Sequence, residues 1–143
     1  MNVRFEGARG ECIDAPDINF LRDIVLNPGC DYWSHGITSG AVLEIHDSEA
    51  MRCLLINPRE SLGVYLKYHE FHNHRLTDTQ LSMHDPTKLS KVVDGGDEWF
   101  ASVGLFLPPH LAWPGVEYFC QTGRLTPQIH WISPSTMPED GNY

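Results

Sequence analysis

Three short apolar runs between Ala41 and Tyr68 limit the folds open to this chain more than any other feature. Ala41-Val42-Leu43-Glu44-Ile45-His46 and Met51-Arg52-Cys53-Leu54-Leu55-Ile56 flank the polar Asp47-Ser48-Glu49, the pattern of two strands joined by a tight turn. Asn57-Pro58-Arg59-Glu60 supplies the next turn. Beyond it Leu62, Val64, Leu66 and Tyr68 recur at a period of two and are expected to share one face of a third strand. Strands joined this closely predict a mostly antiparallel sheet with one face to cover.

Helical periodicity supplies the cover. Asp14-Ala15-Pro16 reads as a helix start, with Asp14 as cap, and Ile18, Leu21 and Val25 follow at helical spacing until Asn27-Pro28-Gly29 stops it. Residues 30–40 hold small polar residues and two glycines and read as a loop. A second helix is expected close to Pro114, where Val116, Phe119 and Cys120 form an apolar stripe that Thr122-Gly123 ends in a left-handed cap. Lys91-Val92-Val93 and Glu98-Trp99-Phe100-Ala101-Ser102-Val103 read as strands around the turn Asp94-Gly95-Gly96-Asp97, and Gln128-Ile129-His130-Trp131-Ile132 as the last strand. From His69 to Leu89 the residues are polar and irregular, which fits either a functional loop or two distorted edge strands. The expected fold is α+β, a mostly antiparallel sheet of about six strands with two helices packed on one face. Residues 1–132 form one domain, and 133–143, with nothing to bury, are expected to be a mobile tail.

Ten basic residues against nineteen acidic ones give a formal charge of −9. That balance disfavours direct nucleic-acid binding, which draws its affinity from Lys and Arg displacing counterions. It suits a basic protein partner, whose approach it would steer, and it also keeps a protein soluble. The chain opens Met1-Asn2-Val3-Arg4-Phe5-Glu6 without the apolar core of a signal peptide, and no apolar run reaches transmembrane length. Cys12, Cys30, Cys53 and Cys120 are scattered with no C-x-x-C pair. A cytoplasmic protein with free, mostly buried thiols and no membrane association is the expectation.

The sharpest local cluster is His69-Glu70-Phe71-His72-Asn73-His74, where strand geometry would put Glu70, His72 and His74 on one face. A metal needs three or four converging ligands, so His84 or another distant residue would have to complete the set, and the helical H-E-x-x-H order is absent. A metal-binding protein or metalloenzyme on His69, His72 and His74 is therefore the rival reading. Ser34-His35 and Cys120 show no nucleophile elbow, and Cys120 falls on the expected buried stripe. Asp94, Asp97 and Glu98 flank a Gly-Gly turn, a poor holder for a catalytic carboxylate pair. No catalytic residues and no cofactor are expected.

The stretch Trp99-Phe100-Ala101-Ser102-Val103-Gly104-Leu105-Phe106-Leu107-Pro108-Pro109, then Val116 to Trp131, resembles the immunity proteins of bacterial polymorphic toxin systems, the type paired with deaminase-like toxins. The family pattern is a strand ending in Gly, a following Pro, a helix closing in Phe-x-x-Thr-Gly, then Pro and a strand ending in Trp. Gly104, Pro108, Phe119 to Gly123, Pro127 and Trp131 match it. Gly63 to Tyr68 resembles the family's middle strand and Asp94 to Asp97 its glycine-acid turn, so the likeness spans residues 41–132. Leu107 departs from it, standing where an acidic residue is frequent, as does the histidine-rich His69 to His84 segment.

The resemblance implies an antitoxin that binds a cognate secreted toxin, a deaminase or nuclease, and occludes its active site without turnover. A monomer or weak homo-oligomer is expected. Charge and expected exposure select Glu70, Asp94, Asp97 and Glu98 as contacts, with Tyr32 or Trp33 as an aromatic anchor from the first loop.

Overall fold

The computed structural model describes residues 1–96 and 99–143. Its strands are β1 (Val3–Glu6), β2 (Cys12–Asp14), β3 (Ala41–His46), β4 (Ala50–Arg59), β5 (Gly63–His72), β6 (Arg75–Met83), β7 (Val92–Gly96), β8 (Trp99–Ser102) and β9 (His130–Ile132). Seven of them form one antiparallel sheet in the order β2-β1-β3-β4-β5-β6-β9, and β7 pairs with β8 in a separate hairpin. The helices are α1 (Ile18–Leu26), the single turn α2 (Asp31–Ser34) within the expected loop, and α3 (Pro109–Thr122).

One face of the sheet is apolar by alternation: Val3, Phe5, Leu43, Ile45, Leu54, Ile56, Val64 and Leu66 are all buried. Leu21, Ile24 and Val25 of α1 and Ala112, Val116 and Phe119 of α3 pack onto it in one cluster. At roughly 1.5–3 kcal/mol per fully buried large aliphatic side chain, this layer supplies most of the drive to fold. The helix starts differ from expectation. Asp17 caps α1, its carboxylate accepting the Asn19 N–H at 2.8 Å, while Asp14 ends β2. Ala15 sits at a φ of 50°, which a helix does not tolerate. Similarly, α3 begins five residues before Pro114, because Pro108 and Pro109 already form its cap and first turn. Pro114 lies inside the helix and removes one bond near its start, that to the exposed His110.

The segment left open between loop and edge strands is a long hairpin. Asn73 and His74, at φ of 49° and 64°, make the mirror-image two-residue turn that suits the twist of paired strands. β9 covers β6 only at Leu81, Ser82 and Met83, so Arg75 to Gln80 run along the sheet edge, which explains their polarity.

A second core occupies part of the opposite face. Tyr65 and Leu81, pointing away from the helices, are covered by Ala101 of the hairpin and by Leu105 and Phe106 after it, with Leu62, Trp99 and Met137 packed alongside. Leu62 was expected on the face of Val64 and Leu66. It joins the second core instead, because Gly63 at a φ of 112° turns the chain before β5 starts. The tail is also not as expected. Met137 packs on the second core, Asn142 exchanges two 2.9 Å hydrogen bonds with Ser102, and the Ser90 hydroxyl donates to Asp140 at 2.7 Å. Residues 133–143 are thus docked, because the hairpin offers them apolar surface and unpaired backbone groups.

Candidate functional site

The residues expected to meet a partner do not form one surface. Tyr32 is buried, its ring packed edge-on to Phe20 and Trp33. Its hydroxyl accepts from the Ala8 N–H at 2.9 Å and donates to Glu11 at 3.1 Å. Burial, the largest cause, pushes its pKa up to about 12. Trp33 is half-buried and its indole N–H is committed to the Ile24 carbonyl at 2.7 Å. Both rings are the packing of α1 and α2, and neither is an exposed anchor. Glu70 faces the helix side of β5 and accepts from the Tyr68 hydroxyl at 2.8 Å and from His72 Nε2 at 3.1 Å. The Tyr68 hydrogen bond is the main reason its carboxyl is held below the usual glutamate range. Asp94 is exposed on the hairpin over the other face, so the sheet separates it from Glu70. Asp97 and Glu98 lie outside the described residues.

The histidines separate as well. His69 points to the outer face and contacts the Thr79 hydroxyl at 2.9 Å, His72 points to the helix side, and His74 is a turn residue. The positive φ at Asn73 and His74 breaks the alternation that was expected to align His72 with His74. Among the described residues no three His, Cys, Asp or Glu side chains are grouped to hold a metal ion. Ser34, His35 and Asp31 are neighbours, yet Ser34 Oγ at 3.3 Å and the Asp31 carboxylate at 3.0 Å both meet the same ring nitrogen, Nδ1. A catalytic relay needs the two partners on opposite nitrogens. Burial pushes the Cys53 and Cys120 thiols up to about 11 and about 12, which leaves them protonated and unreactive at neutral pH.

The surface that the fold does bring together is the rest of the outer sheet face. Strand register lays it out in rows: Glu6, Val42, Leu55 and Lys67 in one, Arg4, Glu44, Cys53 and His69 in the next, and His46, Met51 and Phe71 in the last. Val42, Met51, Leu55 and Phe71 are half-buried, although their strands are buried on the other side. A cleft of about 410 Å³ at one end lies among Asp47, Glu49, His74, Met51 and Phe71. A groove of about 380 Å³ at the other end runs between the sheet and the hairpin, lined by Val42, Leu55, Tyr65, Lys67, Trp99 and Tyr143. Carboxylates edge the face, Glu6 and Glu44 on it and Asp47 and Glu49 in the turn before β4; Glu6 meets Arg4 at 3.9 Å, Glu44 meets His46 at 3.2 Å and Asp47 meets Arg52 at 3.5 Å. The sequence signal was present, since Val42, Leu55 and Phe71 are apolar at positions where alternation expects polar residues.

The stretch that carries the family resemblance is framework. Gly123 ends α3 at a φ of 70°, its N–H bonding the Phe119 carbonyl at 2.8 Å, and Phe119 is fully buried. Gly104 is pressed against the Asp85 carbonyl, where any Cβ would collide. The Trp131 indole N–H bonds the Thr126 carbonyl at 2.9 Å. No family model, curated protein or solved structure matches this chain.

Proposed function

We propose that this protein is an immunity protein, an antitoxin that binds a cognate secreted bacterial toxin of the deaminase or nuclease kind and occludes its active site. The observation that carries the reading is the half-open outer face, with its floor of Val42, Met51, Leu55 and Phe71 edged by Glu6, Glu44, Asp47 and Glu49. An apolar centre with a charged rim is the anatomy of a protein interface. Enzymes that act on nucleic-acid bases present basic clefts, and an acidic rim is complementary to one. The likeness of residues 41–132 to the family supports the same conclusion, and the structural role of its matching residues leaves the outer face free to specify the partner.

The chain acts in this reading as a monomer or weak homo-oligomer in the cytoplasm; no helix among the described residues is long and apolar enough to cross a membrane. The test is co-expression with the toxic product of the adjacent reading frame. Growth is restored and a stoichiometric complex is recovered from the wild-type chain. A Glu44→Lys, Glu49→Lys pair slows association roughly tenfold at low salt, and a Glu139→Lys control leaves it unchanged. Unaltered kinetics in the pair would remove this face from the interface, and failure of the wild-type chain to bind or protect would reject the immunity reading itself.

A further inference from the structure

The groove between sheet and hairpin holds a hydroxyl and an ammonium that have no hydrogen-bond acceptor and no counter-charge, respectively, among the described residues. Tyr65 and Lys67 are two residues apart on β5 and therefore share the outer face. The Tyr65 hydroxyl is buried and has no hydrogen-bond partner among the described residues. Buried hydroxyls are nearly always satisfied, so an orphan in a groove wall calls for an absent acceptor. Lys67 is half-buried and makes no ion pair among the described residues, in a chain where acidic residues outnumber basic ones nineteen to ten. Its contact is a cation–π one, the ammonium lying 5.5 Å from the centre of the Tyr143 ring.

We propose that this groove is a socket for a small aryl carboxylate, with Lys67 and the Tyr65 hydroxyl as the anion-binding pair and the Tyr143 ring as its displaceable cover. The walls fit a flat apolar body. Val42 and Leu55 form the floor, and Trp99 is fixed as a side wall by its indole N–H donating to Ser39 Oγ at 2.6 Å. The volume of about 380 Å³ suits a single-ring acid. One ammonium and one hydroxyl match a monoanion, whereas a phosphate dianion would call for more cations than the lining supplies. Tyr143 shows that an aromatic ring is accommodated against Lys67, and it is held loosely: the ring is partly exposed, and the tail is anchored one residue earlier through Asn142 and Ser102. Burial also lowers the Lys67 pKa, the cost that a bound carboxylate would offset. Both ends of the socket gain on binding, because the hydroxyl acquires an acceptor and the cation a counter-charge.

The test is a titration of the full chain with phenylacetate, read by the Trp99 indole N–H resonance in a nitrogen–proton NMR spectrum, with neutral phenylacetamide as control. Saturable binding of phenylacetate is expected, with phenylacetamide about tenfold weaker. Lys67→Met removes the preference for the charged probe, and Tyr65→Phe weakens phenylacetate several-fold. Tyr65→Phe deletes an unpaired hydroxyl, and Lys67→Met keeps the apolar stem and gives up only the contact with the partly exposed Tyr143 ring, so both variants keep a thermal midpoint close to that of the wild type and lost binding cannot be attributed to unfolding. Tyr143→Ala tightens binding because the cover no longer competes. No saturable shift in either the wild type or Tyr143→Ala would overturn the socket, as would equal affinity for acid and amide or an undiminished preference in Lys67→Met. Unchanged affinity in Tyr143→Ala would overturn the role of the cover. The probe requires no protein partner, so its result is independent of whether the chain protects against a toxin.

Discussion

Ser82→Ala probes the seam that joins the two cores. Along β5 the hydrogen-bonded neighbour changes: β6 pairs from Lys67 onward, while Val64 exchanges two 2.9 Å backbone bonds with Leu107. Leu66 falls between them, and the gap is closed by a fully buried side chain. Ser82 Oγ accepts the Leu66 N–H at 3.0 Å and donates to the Leu105 carbonyl at 2.9 Å. Alanine at this position strands a buried donor and a buried acceptor without making a cavity of consequence. An orphaned buried donor costs about 1–3 kcal/mol, and a carbonyl less, so the expected loss is about 3 kcal/mol. That is a large part of the roughly 5–15 kcal/mol by which domains are stable, and it raises the unfolded fraction by about two orders of magnitude. Urea unfolding should show a lower midpoint with an unchanged slope, while Ser61→Ala, at an exposed turn position, stays within about 0.5 kcal/mol of wild type. A loss below about 0.5 kcal/mol in Ser82→Ala would refute the reasoning, because Leu66 N–H must then find another acceptor.

Two further outcomes follow from single side chains. His74→Gly relieves a non-glycine residue at a φ of 64° and should stabilise the protein by about 1 kcal/mol, a rise of about 3 °C in thermal midpoint; a decrease would mean that the imidazole makes a contact worth more than the strain. Glu70 has a folded pKa below its unfolded one, so its stabilising contribution is full above the ordinary glutamate pKa of about 4.3 and is lost as pH falls through the lowered value. Glu70→Gln keeps an acceptor for the Tyr68 hydroxyl but cannot titrate, so thermal midpoints across the acid range should fall less steeply than in wild type, and parallel curves would discount the coupling.

Local pattern made β3 and β4 legible as short apolar runs around a polar turn and β5 by its alternation, and Gly123 was legible because a left-handed cap has a strong chemical preference. The pattern misled where one residue type serves two purposes. Pro114 looked like a helix opening, yet Pro108 and Pro109 already supply it, and a proline one turn further in is tolerated. Asp14 and Asp17 are both capping residues, and only the backbone at Ala15 decides between them. Val3 and Phe5 alternate, but a run of four residues is too short to outweigh a helix or coil reading. The β5–β6 hairpin was hidden because β9 covers β6 only from Leu81 onward, so the polar residues before it obey the sheet edge and not a buried face. Tyr32 and Trp33 looked exposed because their loop is polar, whereas the rings close the space between α1 and β1.

The groove at one end of the outer face was hidden for a different reason. Tyr65 and Lys67 take their environment from Ala101, Trp99 and Tyr143, which lie more than thirty positions away in the chain. Alternation says only that they oppose Val64 and Leu66; it does not say that a hairpin and a tail will cover one and half-cover the other. The same separation bears on what the protein can vary. Gly104, Phe119, Gly123 and Trp131 are each tied to a cap, a close approach or a backbone carbonyl, so changing them costs the fold. Glu44, Met51 and Leu55 share strands with the core but only half-fill their own side, so changing them alters the surface at little cost to packing. If the proposed immunity function holds, partner contacts placed on that face can change while the framework is kept, so substitutions that alter toxin binding without lowering stability should fall on the outer rows of β3, β4 and β5 and not between Trp99 and Trp131.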